Sequence, residues 1–445
     1  DLDPVIKMRI RNKILEKNPD FKFYGAEEKT VTSKGLIVTN KMYVLKQQQL
    51  EHIISVEIPE GVLELGANLF EGCTSLTSIS LPSSLKVIGD AAFKGCRSLK
   101  EISIPASVKY IYQNTFEGCS SLPVYENVRY AGKWAVGVTD QNKYTYTLSE
   151  DTVGLVNTFC QCAYLTDIVL PSGLQYICDV SFKECTNLTE ILIPESVSCI
   201  GNMAFEKCTY LSNVTIPHSI TYIGDSAFAG CSNLLDVEIP VSVTSVGSSA
   251  FSGCNNLKSV VLPHSIEEIK SATFYNCKSL VDVTIPCSVK KIGSRAFCGC
   301  ESINKIIIPD SVTEIGDSAF YHCSSIGKII IPNSVKDIDS DAFSNCYSLT
   351  EVEIPDSINR LPSHVFMECR SLKELDIPDS VTYIGSAAFY GCTSLTTVKL
   401  PSFLQGMGKS MYGSSYNPFR NCPNLTTLTL NPKAPLRLLM KDYEF

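Results

Sequence analysis

The chain has 445 residues, 44% of them hydrophobic and 19% charged, long enough to bury a large core without disulfides. Lys plus Arg number 38 against 46 for Asp plus Glu, a net charge of −8, which argues against a surface built to neutralise nucleic-acid phosphates or anionic lipid. No apolar run approaches the roughly 18–20 residues that span a bilayer, so membrane insertion is not expected.

In chain order, residues 1–35 carry Ile6, Ile10, Ile14 and Leu15 at helical spacing and are expected to cap an open apolar end. Residues 36–58 form a first unit, with Ile53, Val56 and Ile58 in register with the later units. From there a repeat governs the chain. Proline falls at 59, 82 and 105, then at 171 and every 23 residues up to 401. Phe and Cys three residues apart share that frame, from Phe70 and Cys73 to Phe419 and Cys422, fifteen pairs in all. A period between 20 and 29 residues means a solenoid of small units rather than separate globular domains.

One unit reads Leu211, Val214, Ile216, Pro217, Ser219, Ile220, Ile223, Gly224, Asp225, Ala227, Phe228, Cys231. Its opening matches the L-x-x-L-x-L start of a leucine-rich repeat, a short strand with alternate residues inward. Pro217 should end that strand, because it has no N–H for a ladder. Asp225 with Ala227, Phe228 and Cys231 at helical spacing predicts an N-capped helical turn, and Gly224 the bend before it. The fold class expected is an α/β solenoid, a right-handed leucine-rich-repeat superhelix with one short strand and one helical turn per 23-residue unit. Its boundaries are 36–431, followed by a tail at 432–445.

Two stretches break the frame. Residues 124–147 replace a standard unit with aromatics around Gly132 and Gly137, and 405–416 is an insertion in the last unit. Tyr130, Trp134 and Tyr144 could form an aromatic platform for a glycan. The competing reading is a two-stranded insertion whose aromatics fill the core where Phe and Cys are missing.

Fifteen of the twenty Cys occupy one repeat position. Side chains on successive rungs stand about 4.8 Å apart, wider than the roughly 3.8 Å a disulfide prefers between Cβ atoms, so a column of buried free thiols is expected. Cys160/Cys162 and Cys298/Cys300 each pair a column thiol with one expected to face outward, and no metal or other cofactor is expected. Histidine is scarce, and no nucleophile elbow, H-E-x-x-H or phosphate loop is present, so no catalytic residues are assigned and the chain is not read as an enzyme. The Ser two after each repeat proline recurs too regularly to be a nucleophile, and is read as a turn hydroxyl bonded to backbone in every rung.

The outward strand positions, two and four residues before each proline, are where a protein partner would bind. They hold an apolar stripe at Val261, Ile307 and Ile330, with Asp282 beside it, and four carboxylates, Glu351, Glu353, Glu374 and Asp376, on two adjacent rungs.

The unit I-P-x-S-V-x-x-I-G-x-x-A-F-x-x-C-x-x-L, seen from Ile308 to Ile326 and from Ile377 to Leu395, closely resembles the BspA-like leucine-rich repeat proteins over roughly 36–431. The resemblance implies a secreted or cell-surface adhesin-like protein binding host matrix or neighbouring-cell proteins, as in anaerobic gut and oral bacteria and trichomonad parasites. No leader or wall anchor is visible in the residues themselves. A cytoplasmic assembly scaffold is the alternative that the many thiols suggest.

Overall fold

The computed structural model describes residues 53–408 apart from 59, residues 416–430, and two short strands at Val31–Thr32 and Gly35–Val38. The expected N-terminal capping helix, most of the 405–416 insertion and the 432–445 tail lie outside the described residues. The chain divides into two compact units, Asp1–Cys208 and Thr209–Phe445.

Each unit is a stack of coils, and most coils have two strands rather than the one expected, the first being absent at 102–104, 167–169 and 305–307. In the second unit the first strand is three residues long, as at Asp236–Glu238, Ser259–Val261 and Asp282–Thr284. These pair parallel and in register, Val237 with Val260 and Val260 with Val283. After the proline a two-residue strand comes next, as at Glu268–Ile269, Lys291–Ile292 and Glu314–Ile315, again parallel from coil to coil. The first unit repeats this plan, with Val56 opposite Ile79 and Ile88 opposite Ile111.

The third side of each coil is not a helix, and no helix occurs among the described residues. Within Asp225 to Cys231, Ser226 (φ 55°) and Gly230 (φ 74°) are left-handed, which no right-handed helix accommodates. The N–H groups turn outward along the stack instead. Those of Ser226, Phe228 and Gly230 donate to the carbonyls of Ser248, Ala250 and Ser252 on the next coil, at 2.8, 2.8 and 2.7 Å. Asp225, expected to cap a helix, accepts from the Ser248 N–H at 2.7 Å. The expectation failed because the spacing of apolar residues around a tight turn matches that of a helical turn, while only the neighbouring coil reveals where the backbone donors go.

Glycine at the bend is required by close approach, not by a left-handed backbone. A Cβ on Gly247 would lie 2.4 Å from the backbone of Gly224 and Asp225, one coil away. The core is the stacked Phe column, with Phe297, Phe320 and Phe343 fully buried and successive ring centroids 5.4 Å apart.

The irregular unit is a hairpin. Val128–Ala131 and Trp134–Val138 pair antiparallel, Val124–Tyr125 pairs antiparallel with Val128–Ala131, and Trp134 then pairs parallel with Gly154.

Candidate interaction face

The alternation of the first strand sets this surface. Lys328–Ile330, Glu351–Glu353 and Glu374–Asp376 each have a buried centre between two exposed residues, because successive side chains of an extended strand point to opposite faces. Lys328 stands opposite Glu351, and Ile330 opposite Glu353. The outward columns are therefore those the sequence indicated. Val261, Ile307 and Ile330 are 57%, 67% and 51% exposed.

Ile307 and Ile330 come together in a hollow of about 970 Å³, with Lys305, Lys328 and Glu353 on its walls and Asp310 and Asp356 at its turn side. Val261 and Asp282 are not part of it. They lie in the preceding sheet, where Val261 is opposite Thr284 and Asp282 opposite Ser259. A threonine thus interrupts the apolar stripe.

The carboxylate cluster is partly neutralised. Lys328 Nζ bridges Glu351 Oε1 at 2.7 Å and Glu353 Oε1 at 2.9 Å, and Lys399 Nζ sits 2.8 Å from Asp376 Oδ2. Both lysines have their pKa raised, by hydrogen bonds to Glu351 and Asp376 respectively above all. In the chain Lys373 is the cation adjacent to these carboxylates, but the bridging ammonium groups come from positions one coil away, Lys328 and Lys399. No group of three His, Cys, Asp or Glu stands so as to hold a metal among the described residues.

The aromatic platform is corrected by burial. Trp134 is 3% exposed and stacks on Tyr176 at 5.4 Å, with 4° between the planes. Tyr130 is also buried, its hydroxyl accepting from the Ser149 N–H at 2.9 Å. Only Tyr144 is exposed, edge-on to Tyr164. An indole with neither face open offers a sugar nothing to stack on.

The column cysteines are buried thiols except Cys422, which is half-buried, and sulfurs along the column donate to a carbonyl on the preceding coil, as Cys277 does to Phe251 O at 3.1 Å and Cys300 to Phe274 O at 3.1 Å. Burial pushes the Cys277 and Cys346 thiols up to about 12. Cys298, expected to face outward, is buried as well, whereas Cys287 is exposed. The Ser hydroxyls are a further correction. Ser196, Ser311 and Ser357 donate to the preceding coil at 2.5, 2.7 and 2.5 Å, and Ser265 bonds in the same way. Ser242, Ser288, Ser334 and Ser380 are buried with no protein partner, and nothing in the structure explains the difference.

Stacked parallel coils with in-register outward columns define a leucine-rich-repeat solenoid. The model of the BspA type leucine rich repeat region matches residues 42–144, 156–281, 245–373 and 360–434, and the chain belongs to that family. It is similar to a solved leucine-rich repeat protein from Bacteroides ovatus, at 28% identity over 85% of this chain and 88% of that one, with a TM-score of 0.52. It is also similar to a leucine rich cell surface protein from Faecalibacterium prausnitzii, at 24% identity over 84% and 87% of the two chains, with a TM-score of 0.39. A leucine-rich repeat protein from Eubacterium ventriosum is 22% identical over 67% and 84%, with a TM-score of 0.40. No curated protein sequence matches the chain.

Proposed function

We propose that the protein is a non-enzymatic protein-interaction scaffold, secreted or displayed at a cell surface, that binds host or neighbouring-cell proteins through its outward strand face. The observation that carries this reading is the hollow at Ile307 and Ile330, two adjacent apolar side chains left open to water between charged walls. Clustered apolar exposure rimmed by charge is the usual mark of a protein-binding site. Val261, Asp282, Glu351, Glu353, Glu374 and Asp376 extend that face along the stack. Membership of the BspA type family supports the assignment of display and adhesion.

The test is a pull-down from host-matrix extract or cell lysate with the wild type beside Ile307→Glu/Ile330→Glu. Loss of captured proteins by the variant supports the reading, because it puts charge where an apolar contact must be dry. Unchanged capture moves the site elsewhere on the molecule.

Twenty free cysteines favour a second reading, an assembly scaffold in the reducing cytoplasm. Fractionation of native cells separates the two: protein found only in the cytosol removes the first. Thiol titration in denaturant is expected to find most of the twenty reduced, and five or more disulfides would remove the second.

A further inference from the structure

The two most exposed large apolar side chains among the described residues are not in the hollow. They are Val169 and Leu192, 80% and 78% exposed, on successive coils of the first unit. Each occupies the position two before its repeat proline, equivalent to Ile307 and Ile330. The position four before proline is exposed alongside each of them, and here the two places differ in sign. Asp167 accompanies Val169 and Glu190 accompanies Leu192, whereas Lys305 accompanies Ile307 and Lys328 accompanies Ile330. Neither Asp167 nor Glu190 has an ion-pair partner among the described residues, and neither does Lys305.

We infer that the face at 305–330 takes a second copy of this chain, which presents its own face at 167–192. The fit is chemical and geometric together. Each patch is two coils wide and has one apolar and one charged column at the same positions before the repeat proline. With the chain running the same way through the facing segments and the stacks opposed, apolar column meets apolar column, and Asp167 and Glu190 meet Lys328 and Lys305. Docking covers Val169, Leu192, Ile307 and Ile330, all more than half exposed, and gives two unpaired carboxylates and the unpaired Lys305 their partners. At this contact the attraction to Lys305, and to Lys328 shared with its own Glu351 and Glu353, offsets part of the repulsion expected between molecules that each carry a net charge of −8. A contact two coils wide is small, so weak association at micromolar or higher concentration is expected.

The inference rests on the reading of 305–330 as a docking face. It is tested by sedimentation of the full chain over a concentration series, with two charge-reversed variants. Lys305→Glu/Lys328→Glu alone and Asp167→Lys/Glu190→Lys alone are each expected to weaken self-association by roughly a hundredfold or more, because like charges then face each other. An equal mixture of the two is expected to associate again, since each variant keeps one patch complementary to the other's. The Asp167/Glu190 variant breaks no ion pair, so it remains decisive if the lysine variant unfolds. A wild type that stays monomeric throughout overturns the inference, as does self-association unchanged in both variants. A monomeric wild type that still loses foreign partners on Ile307→Glu/Ile330→Glu overturns this inference alone and leaves the scaffold reading standing. Self-association restored by the mixture, with no foreign protein captured, does the reverse.

Discussion

Around Phe320 the core is a column of identical rings. Phe297 and Phe343 stack on it from either side, both at 5.4 Å and within 6° of parallel, and each coil contributes the same carbonyl and thiol to its neighbour. Around Trp134 no residue repeats. A hairpin fills the coil, its indole lies flat on Tyr176, and the space for it exists because residue 154 is glycine, where a Cβ would come within 2.2 Å of the ring. Tyr146 meets the Phe column from the hairpin side, tilted on Phe159 at 5.1 Å. The stack therefore demands that each coil present a filled apolar layer and matching backbone partners, and it accepts two unrelated sequences that do so.

The sharpest way to break this comparison is to empty both layers. Phe320→Ala and Trp134→Ala should each cost roughly 3–5 kcal/mol, measured by chemical denaturation, because both rings are buried and neighbouring coils relax only partly into the hole. A loss under about 1 kcal/mol for Trp134→Ala would mean that the hairpin is an appendage rather than a layer of the core.

A middle-sized effect is expected where the hairpin is bypassed. Asp179 is 3% exposed, accepts from the Asn202 N–H at 2.7 Å and accepts a short hydrogen bond from the Tyr110 hydroxyl, 69 residues earlier. Asp179→Ala should cost about 1–3 kcal/mol by leaving those donors unpaired, while Asp179→Asn keeps an acceptor and should be nearly neutral or stabilising. Burial, above all, raises the Asp179 pKa from its ordinary value of 3.8. The fold therefore favours the protonated acid, and its contribution declines as pH rises from the unfolded value of about 3.9 through the raised folded one. In thermal melts the Asn variant should gain on the wild type from acid towards neutral pH. A constant difference would show that Asp179 ionises at no cost in the fold.

The smallest effect belongs to the outward face. Ile307→Glu/Ile330→Glu should change stability by under about 0.5 kcal/mol per site, because neither side chain enters the core. A large drop in melting temperature would show that these side chains carry part of the packing.

Much of this was legible in the residues. The alternation Lys328, Ile329, Ile330 states which side is buried, and the central Ile is indeed 0% exposed. The Cys position was legible for the same reason, since an apolar frame repeated so often leaves one inward place for it. The turn at 225–231 was not legible as a turn, because local spacing cannot tell a helix from two left-handed residues in a tight turn. Trp134 was ambiguous because an aromatic residue suits a core and a ligand platform alike. Val169 was within reach, being two before Pro171, but its partner charges matter only in comparison with a patch more than a hundred residues away.

The sequence by itself determined the period, the stacking of coils, the inward and outward columns and the family, because each depends on spacing within one unit and on its repetition. Tertiary structure alone decided where the turn-side N–H groups donate, that Lys328 spans Glu351 and Glu353, that Asp179 reaches Tyr110, and that Ile307 and Ile330 share one hollow. Each of these is a relation between coils, set by which atoms the next coil places within hydrogen-bond or van der Waals reach, and no periodicity within one coil encodes that.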